Sequence, residues 1–148
     1  MIREILPADI APLLVIEKAC FEAGYDDHMN TAEDFEDGFA DPDVKIFVCI
    51  EDGQVAGYAS LFLEDGYASF DSLAVSPTQQ GKGLGEQLFK FIESYCQTTG
   101  IPQLNLEIKE TNYALLKRYH RFGYKCFEVE TGFYADGWGA IRMLKRFE

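Results

Sequence analysis

Leu73-Ala74-Val75-Ser76-Pro77-Thr78-Gln79-Gln80-Gly81-Lys82-Gly83-Leu84-Gly85-Glu86 passes from a β-rich run into a helical one through three glycines at alternate positions. Glycines at i, i+2 and i+4 let the backbone approach a ligand with no Cβ in the way. Where such a turn opens a helix, its N–H groups and the positive end of the helix dipole make a cradle for phosphate oxygens. Lys82 adds a positive charge nearby. Two nucleotide motifs fit poorly. The phosphate loop of NTPases needs Ser or Thr after Gly-Lys, and Gly83 stands there. The dinucleotide fingerprint needs Gly-x-Gly-x-x-Gly, a spacing these glycines do not have. A glycine turn with no ligand would weaken the helix start without any return in packing.

Working outward from this loop, Val44 to Ile50 and Val55 to Leu63 read as strands joined by a hairpin turn at Glu51-Asp52-Gly53-Gln54, and Glu64-Asp65-Gly66 turns into a third strand, Tyr67 to Val75. Ahead of this antiparallel meander, Ile2 to Leu6 is a short strand. Pro7-Ala8-Asp9 then starts a helix, with Asp9 as its cap and Leu13, Leu14, Ile16, Glu17 and Phe21 along it, ending near Gly24. Thr31, three residues before Asp34, caps a short helix with Phe35 and Phe39 on one side. Beyond the loop, Leu84, Leu88, Phe89, Phe91, Ile92 and Tyr95 keep helical spacing up to Gly100-Ile101-Pro102. Gln103 to Lys109 alternates as a strand, Leu104, Leu106 and Ile108 on one face and Asn105, Glu107 and Lys109 on the other. A helix from Asn112 to Phe122 stops at Gly123, and Tyr124 to Glu130 and Ala140 to Leu144 close the chain as strands. The order β-α-α-β-β-β-α-β-α-β-β predicts a mixed sheet with helices, α/β or α+β, in one domain over residues 1–148.

The chain has 148 residues and a net charge of −12, which argues against nucleic acid as a partner, since that needs a basic surface. Residues 1–75 carry −14 and residues 76–148 carry +2, so one half attracts a cation while the other tolerates an anion. The richest apolar run, Ile10 to Ile16, is interrupted by Pro12 and far shorter than the ~20 residues of a membrane helix, and no secretory signal opens the sequence. A cytoplasmic protein with no membrane partner is expected. Cys20, Cys49, Cys96 and Cys126 form no Cys-x-x-Cys pair, and His28 and His120 lack ligand-spaced partners, so no metal is expected. Each cysteine lies among apolar neighbours and reads as a free buried thiol.

Gln80-Gly81-Lys82-Gly83-Leu84-Gly85 matches the Gln/Arg-x-x-Gly-x-Gly/Ala motif of the GNAT superfamily of acetyl-CoA-dependent N-acetyltransferases, and the chain resembles that superfamily most strongly from residue 67 to 144. The resemblance implies a mixed, mostly antiparallel central sheet of about seven strands flanked by about four helices. It also implies that the amides of Gln80, Gly81, Lys82, Gly83, Leu84, Gly85 and Glu86 hold the pyrophosphate of acetyl-CoA, while the backbone of Leu73, Ala74 and Val75 pairs with the pantetheine arm. Asn105-Leu106-Glu107-Ile108, Asn112, Tyr119 and Gly123-Tyr124 are similar to the run found in ribosomal-protein alanine and other protein N-terminal acetyltransferases. Phe133 to Ala140 resembles their tyrosine-rich hairpin over the substrate's terminus, though Phe133-Tyr134 replaces two tyrosines and Trp138-Gly139 an acidic pair. The segment around Tyr25 and Asp26 lacks the Pro-Trp often found there.

Acetyl transfer needs a neutral amine, a positioned thioester and a proton for the departing thiolate. Glu107, on the polar face of its strand, is the expected general base acting through water; Tyr119 is the expected general acid. Asn112 is first a helix cap and, by the resemblance, a contact to the cofactor arm. Tyr25, Asp26 and Tyr134 are expected to frame the acceptor, either a protein N-terminal amine or a small cationic amine such as a polyamine, amino acid or aminoglycoside. A non-catalytic acyl-CoA sensor is the alternative of a different class.

Overall fold

In the computed structural model, which describes residues 1–21 and 29–148, the chain forms two compact units, Met1–Leu63 with Asp71–Tyr95 and Glu64–Phe70 with Cys96–Glu148. The described residues contain seven strands and four α-helices: β1 (Ile2–Glu4), α1 (Ile10–Phe21), α2 (Ala32–Ala40), β2 (Val44–Glu51), β3 (Gln54–Glu64), β4 (Tyr67–Val75), α3 (Leu84–Thr98), β5 (Gln103–Lys109), α4 (Tyr113–Arg121), β6 (Lys125–Glu130) and β7 (Ala140–Arg146). This is the mixed α/β order expected from the sequence, with strands and helices in the numbers the resemblance implied.

In the first unit the strands lie in the order β1-β2-β3-β4, with β1 and β3 antiparallel to β2. The β2–β3 hairpin turns at Asp52 and Gly53, both left-handed at φ 51° and 76°, which is the backbone a two-residue turn between twisted strands demands. Ile46, Phe47, Val48 and Cys49 are all buried, so this stretch of β2 is covered on both faces. Ile5, Leu13, Ile16, Phe35, Val48 and Tyr58 pack together in one core. Phe47 meets the rings of Phe91 and Tyr95 from α3 at 5.0 and 5.1 Å. Fully burying side chains such as Leu88 and Ile92 contributes about 1.5–3 kcal/mol each.

In the second unit the order is β4-β5-β7-β6. The first half of β4 runs parallel to β5, Ala68 opposite Leu104 and Ser69 opposite Asn105. β7 runs antiparallel to both β5 and β6. Leu104, Leu106 and Ile108 are buried, as the alternation predicted, and their neighbours Asn105, Glu107 and Lys109 are not. α4 is capped by Asn112, whose Oδ1 accepts the Leu115 N–H at 3.3 Å, and it ends before Gly123 at φ 96°.

Two expectations are corrected. Asp9 does not cap α1 by reaching forward; it closes a short 3-10 turn and reaches back to accept the Leu6 N–H at 2.7 Å and the Arg3 guanidinium at 2.7 and 3.1 Å. Phe35 and Phe39, four residues apart, share one side of α2 as expected; Phe35 is 2% exposed in the core and Phe39, at the end of the nine-residue helix, is 49% exposed. Cys126 is not buried, because β6 is the last strand in the order and all six of its residues are exposed. Cys49 and Cys96 are buried as expected, Cys20 is half-buried, and all four thiols are free. The stop near Gly24 lies outside the described residues.

Candidate active site

Gln80 closes the glycine loop onto the strand before it, its Nε2 donating to the Val75 carbonyl at 3.0 Å. The Cys20 thiol donates to the same carbonyl at 3.2 Å. Between them Pro77–Gln79 form a 3-10 turn, and Lys82 is steadied by the Gln79 side chain at 2.8 Å. Gly81 and Gly83 both adopt left-handed backbone, at φ 83° and 80°, and a Cβ built on either would meet nothing within 4 Å. Those two hydrogens therefore face open space, as a cradle requires. The Gln87 N–H donates to the Gly83 carbonyl at 3.0 Å, which is an i to i−4 bond of α3. The N–H groups of Leu84, Gly85 and Glu86 precede it and project from the positive end of a fifteen-residue helix. Gly57 fixes where the strand end lies: a Cβ there would come 2.6 Å from the Ala74 carbonyl oxygen, so only glycine admits this approach of β4 to β3. The first unit thus holds Leu73, Ala74, Val75 and residues 80–86 as one continuous strand-loop-helix, with the first turn of α3 at its end.

The second unit gathers charge around β7. Arg142 reaches Glu107 on β5 at 3.0 Å, Glu130 on β6 at 3.0 Å, and Glu128 on β6. The guanidinium also lies 5.0 Å from the centre of the Phe133 ring. Its hydrogen bonds to Glu128, Glu130 and Glu107 raise an already high arginine pKa, so it is a permanent cation in this cluster. Glu107 is held from its other side too, Tyr134 Oη donating to Oε2 at 3.2 Å. The loop bearing Tyr134 folds on itself: the Tyr134 N–H donates to the Trp138 carbonyl at 3.0 Å and the Gly137 N–H to the Tyr134 carbonyl at 2.9 Å. Lys109 anchors it by pairing with Asp136 and lying 5.6 Å from the Tyr134 ring centre. The hydrogen bond from Lys109 holds the Asp136 carboxyl below the usual range. Gly139 makes the return to β7 possible, since a Cβ there would sit 2.8 Å from the Glu130 carbonyl.

Of the residues expected from sequence, the structure brings Glu107 and Tyr134 into direct contact. Tyr119 sits on α4 with its ring 5.9 Å from Tyr124 and 6.3 Å from Phe122. Burial pushes its phenol pKa up and Arg118 only partly offsets this, so Tyr119 keeps its proton through the neutral range. Asn112 is the helix cap it was expected to be. Tyr25 and Asp26 lie outside the described residues. Arg142, Glu128 and Glu130 were not found from sequence; the one available signal was the alternation that puts Glu128 and Glu130 on the same face of a strand. No group of three or more His, Cys, Asp or Glu side chains placed to hold a metal ion occurs among the described residues, and no described helix is long and apolar enough to cross a membrane.

Seven strands and four α-helices, with a strand that runs through a glycine loop into a helix, put the described residues in the α/β class of folds. Residues 10–124 match the model of the acetyltransferase (GNAT) family, and the chain belongs to that family. It is 32% identical over 101 residues to an uncharacterised N-acetyltransferase of Methanocaldococcus jannaschii, covering 68% of this chain and 65% of that one. It is 27% identical over 95 residues to a protein of Bacillus subtilis named for alanine N-acetylation of a ribosomal protein, covering 64% of this chain and 63% of that one. The match thus spans just under two thirds of either relative. Among solved structures it is similar to the ribosomal-protein-alanine N-acetyltransferase of Escherichia coli, with a TM-score of 0.84, 22% identity, and 99% of this chain and 92% of that one covered. It is also similar to an acetyltransferase of Salmonella typhimurium solved with its cofactor acetyl-CoA, with a TM-score of 0.78, 22% identity, and 100% and 94% covered. These likenesses show the fold.

Proposed function

We propose that residues 1–148 work as one acetyl-CoA-dependent N-acetyltransferase domain that passes an acetyl group directly to a primary amine. The observation that carries this reading is the loop at the mouth of α3: two left-handed glycines with open space over them, followed by the N–H groups of the first helical turn, suit the oxygens of an anion such as a pyrophosphate. A loop of this build takes the phosphates of acetyl-CoA on residues 80–86, and the backbone of Leu73 to Val75 takes the pantetheine arm as a neighbouring strand would. The family membership and the acetyl-CoA-bound structural neighbour support the same assignment.

In this reading Glu107 is the general base. Arg142 and Tyr134 hold its two oxygens, which orients the carboxylate while 36% of its side chain stays open to solvent and hence to a bridging water. Tyr119 is the general acid: burial raises its pKa, so it is protonated when the thiolate leaves, and it gives that proton to a thiolate of pKa ~8.5 where the charge developing on the phenol is stabilised on binding. Asn112 touches the cofactor arm, and Tyr25, Asp26 and the Tyr134 loop frame the acceptor.

The proposed acceptor is a protein N-terminal amine of the ribosomal-protein type, which the names of the Bacillus subtilis and Escherichia coli proteins support. A second reading, a small cationic amine, is favoured by the −14 carried by residues 1–75. A mass-shift screen with acetyl-CoA against peptides beginning Ala, Ser, Met or Lys, alongside polyamines and aminoglycosides, separates the two. Acetylated Ala or Ser peptides support the first; product on polyamine or aminoglycoside alone supports the second. Tight acetyl-CoA binding with no product on any amine would identify a sensor instead.

A further inference from the structure

α1 buries a carboxylate that the chemistry above leaves unused. Glu17 is 1% exposed, and each of its oxygens is occupied: Oε1 accepts from Tyr58 Oη, and Oε2 accepts the Asn30 backbone N–H at 2.8 Å. Tyr58, on β3, is fully buried and acts as a junction. Its hydroxyl donates to Glu17, accepts from Asn30 Nδ2 at 3.0 Å, and lies 2.8 Å from Ser72 Oγ. A phenol has one proton to give. With that proton committed to Glu17, the Ser72 hydroxyl is the donor in the last contact, and its lone pairs are left to accept from elsewhere. Ser72 is only half-buried and directly precedes Leu73, the start of the strand end proposed to pair with the cofactor arm. The hydrogen bonds from Ser72 through Tyr58 to Glu17 therefore all point inward, from the hydroxyl of a half-buried residue to a buried carboxylate.

The surroundings suit a proton sink. Burial raises the Glu17 pKa, hydrogen bonds from Tyr58 and Asn30 hold it down in part, and the negative charge of Asp71 on β4 pushes it up again. Among the described residues the other titratable groups facing it are Cys20 on the same helix and Tyr58, both pushed up by burial and by Glu17 itself, so neither is charged near neutral pH. A carboxylate of raised pKa is a stronger base than one in water and better matched to an amine of pKa ~8.

We infer that Ser72, Tyr58 and Glu17 form a proton relay that takes one proton from the acceptor ammonium before it attacks. The inference rests on the acetyltransferase reading. Transfer strips two protons from an ammonium, one before attack and one after it, and Glu107 accounts for only one of them. In the relay the ammonium N–H bond breaks and its proton goes to Ser72 Oγ. The proton that Ser72 carried passes to Tyr58 Oη, and the proton of Tyr58 passes to Glu17 Oε1. The products are a neutral amine, two intact hydroxyls and a neutral Glu17, which returns its proton to solvent by the same path after turnover. Ser72 is the residue that touches the acceptor; Tyr58 and Glu17 act through it.

The test is made in the full chain with Ser72→Ala and Ser72→Thr, following kcat/KM for an Ala-initiated peptide and for spermidine from about pH 6 to about pH 9. Ser72→Ala removes one hydroxyl and leaves Tyr58 bonded to Glu17 and Asn30, so the network itself survives. The relay predicts that this variant loses at least about tenfold in kcat/KM below the amine pKa, that the loss shrinks at high pH where free amine is abundant, and that Ser72→Thr restores the wild-type profile. Calorimetric affinity for acetyl-CoA should be the same in all three proteins. An active wild type matched by Ser72→Ala at every pH would overturn the relay and leave the acetyltransferase reading standing. A wild type that acetylates no amine would overturn both.

Discussion

Replacing Gly83 by alanine separates the backbone conformation of the loop from its use as a cradle. Gly83 has φ 80° and open space where a Cβ would stand, so the substitution introduces strain but no overlap. A left-handed non-glycine residue costs about 1–2 kcal/mol, which lowers the melting temperature of a chain this size by about 2–8 °C and leaves it folded. The added methyl projects into the space assigned to phosphate oxygens. Displacing one hydrogen bond to a charged group costs about 1.5–3 kcal/mol, so the dissociation constant for acetyl-CoA should rise about 10- to 150-fold. Valine at the same position should do more. Gly53 supplies the control: it has φ 76°, equally open space and a place in the β2–β3 hairpin, so Gly53→Ala carries the same backbone cost. Titration calorimetry with acetyl-CoA on the two folded variants is the assay. The cradle predicts lost affinity in Gly83→Ala and wild-type affinity in Gly53→Ala. A folded Gly83→Ala protein that binds as the wild type does would refute the reasoning.

Other outcomes follow from the same geometry. Glu107→Gln should lower turnover at every pH, because the proton it takes after attack must leave whatever the state of the free amine, and Tyr119→Phe should lower turnover with acetyl-CoA affinity nearly unchanged; steady-state kinetics under conditions where chemistry limits the rate checks both. Gly57→Ala, which brings a Cβ to 2.6 Å from the Ala74 carbonyl oxygen, should destabilise the protein by about 1–3 kcal/mol in urea unfolding, since a backbone oxygen cannot swing aside as a side chain can. The Arg3 hydrogen bond, aided by the Leu6 N–H, holds the Asp9 carboxyl below its usual range. Its stabilisation is therefore full above the unfolded value of ~3.9 and is lost as pH falls through the lower folded value. Unfolding at a series of pH values should show the gap between wild type and Asp9→Asn widest above about pH 4 and closing on acidification.

What could be read from sequence was whatever depends on short-range spacing. The loop from Leu73 to Glu86, the Thr31 and Asn112 caps and the alternation along Gln103–Lys109 all express rules that act within a turn or along a strand. The Glu107–Tyr134 hydrogen bond is not legible in the sequence, because it spans twenty-seven residues of chain. Arg142 escaped notice because its three carboxylates come from β5 and β6, and only the register of β7 between them places it at the centre. The Glu17–Tyr58–Ser72 chain draws on α1, β3 and β4, and nothing in the local pattern of any one of them marks it. Asp9 misled for a different reason: a cap and a back-bonding carboxylate use the same residue type, and only the direction of the chain after Leu6 decides between them. Cys126 misled because apolar neighbours do not bury a strand that ends a sheet.

Direct transfer from acetyl-CoA to an amine is tested most directly by intact-mass analysis of a rapid-mixing experiment. The protein is combined with acetyl-CoA alone and, in parallel, with acetyl-CoA and an Ala-initiated peptide or spermidine. The account predicts an unmodified protein in the first mixture. In the second it predicts one acetyl group on the amine and free coenzyme A in equal amount, with both slowed in Glu107→Gln and Tyr119→Phe. An acetylated protein that forms without the amine and then decays into product would contradict direct transfer, and unmodified amines throughout would contradict the enzyme itself.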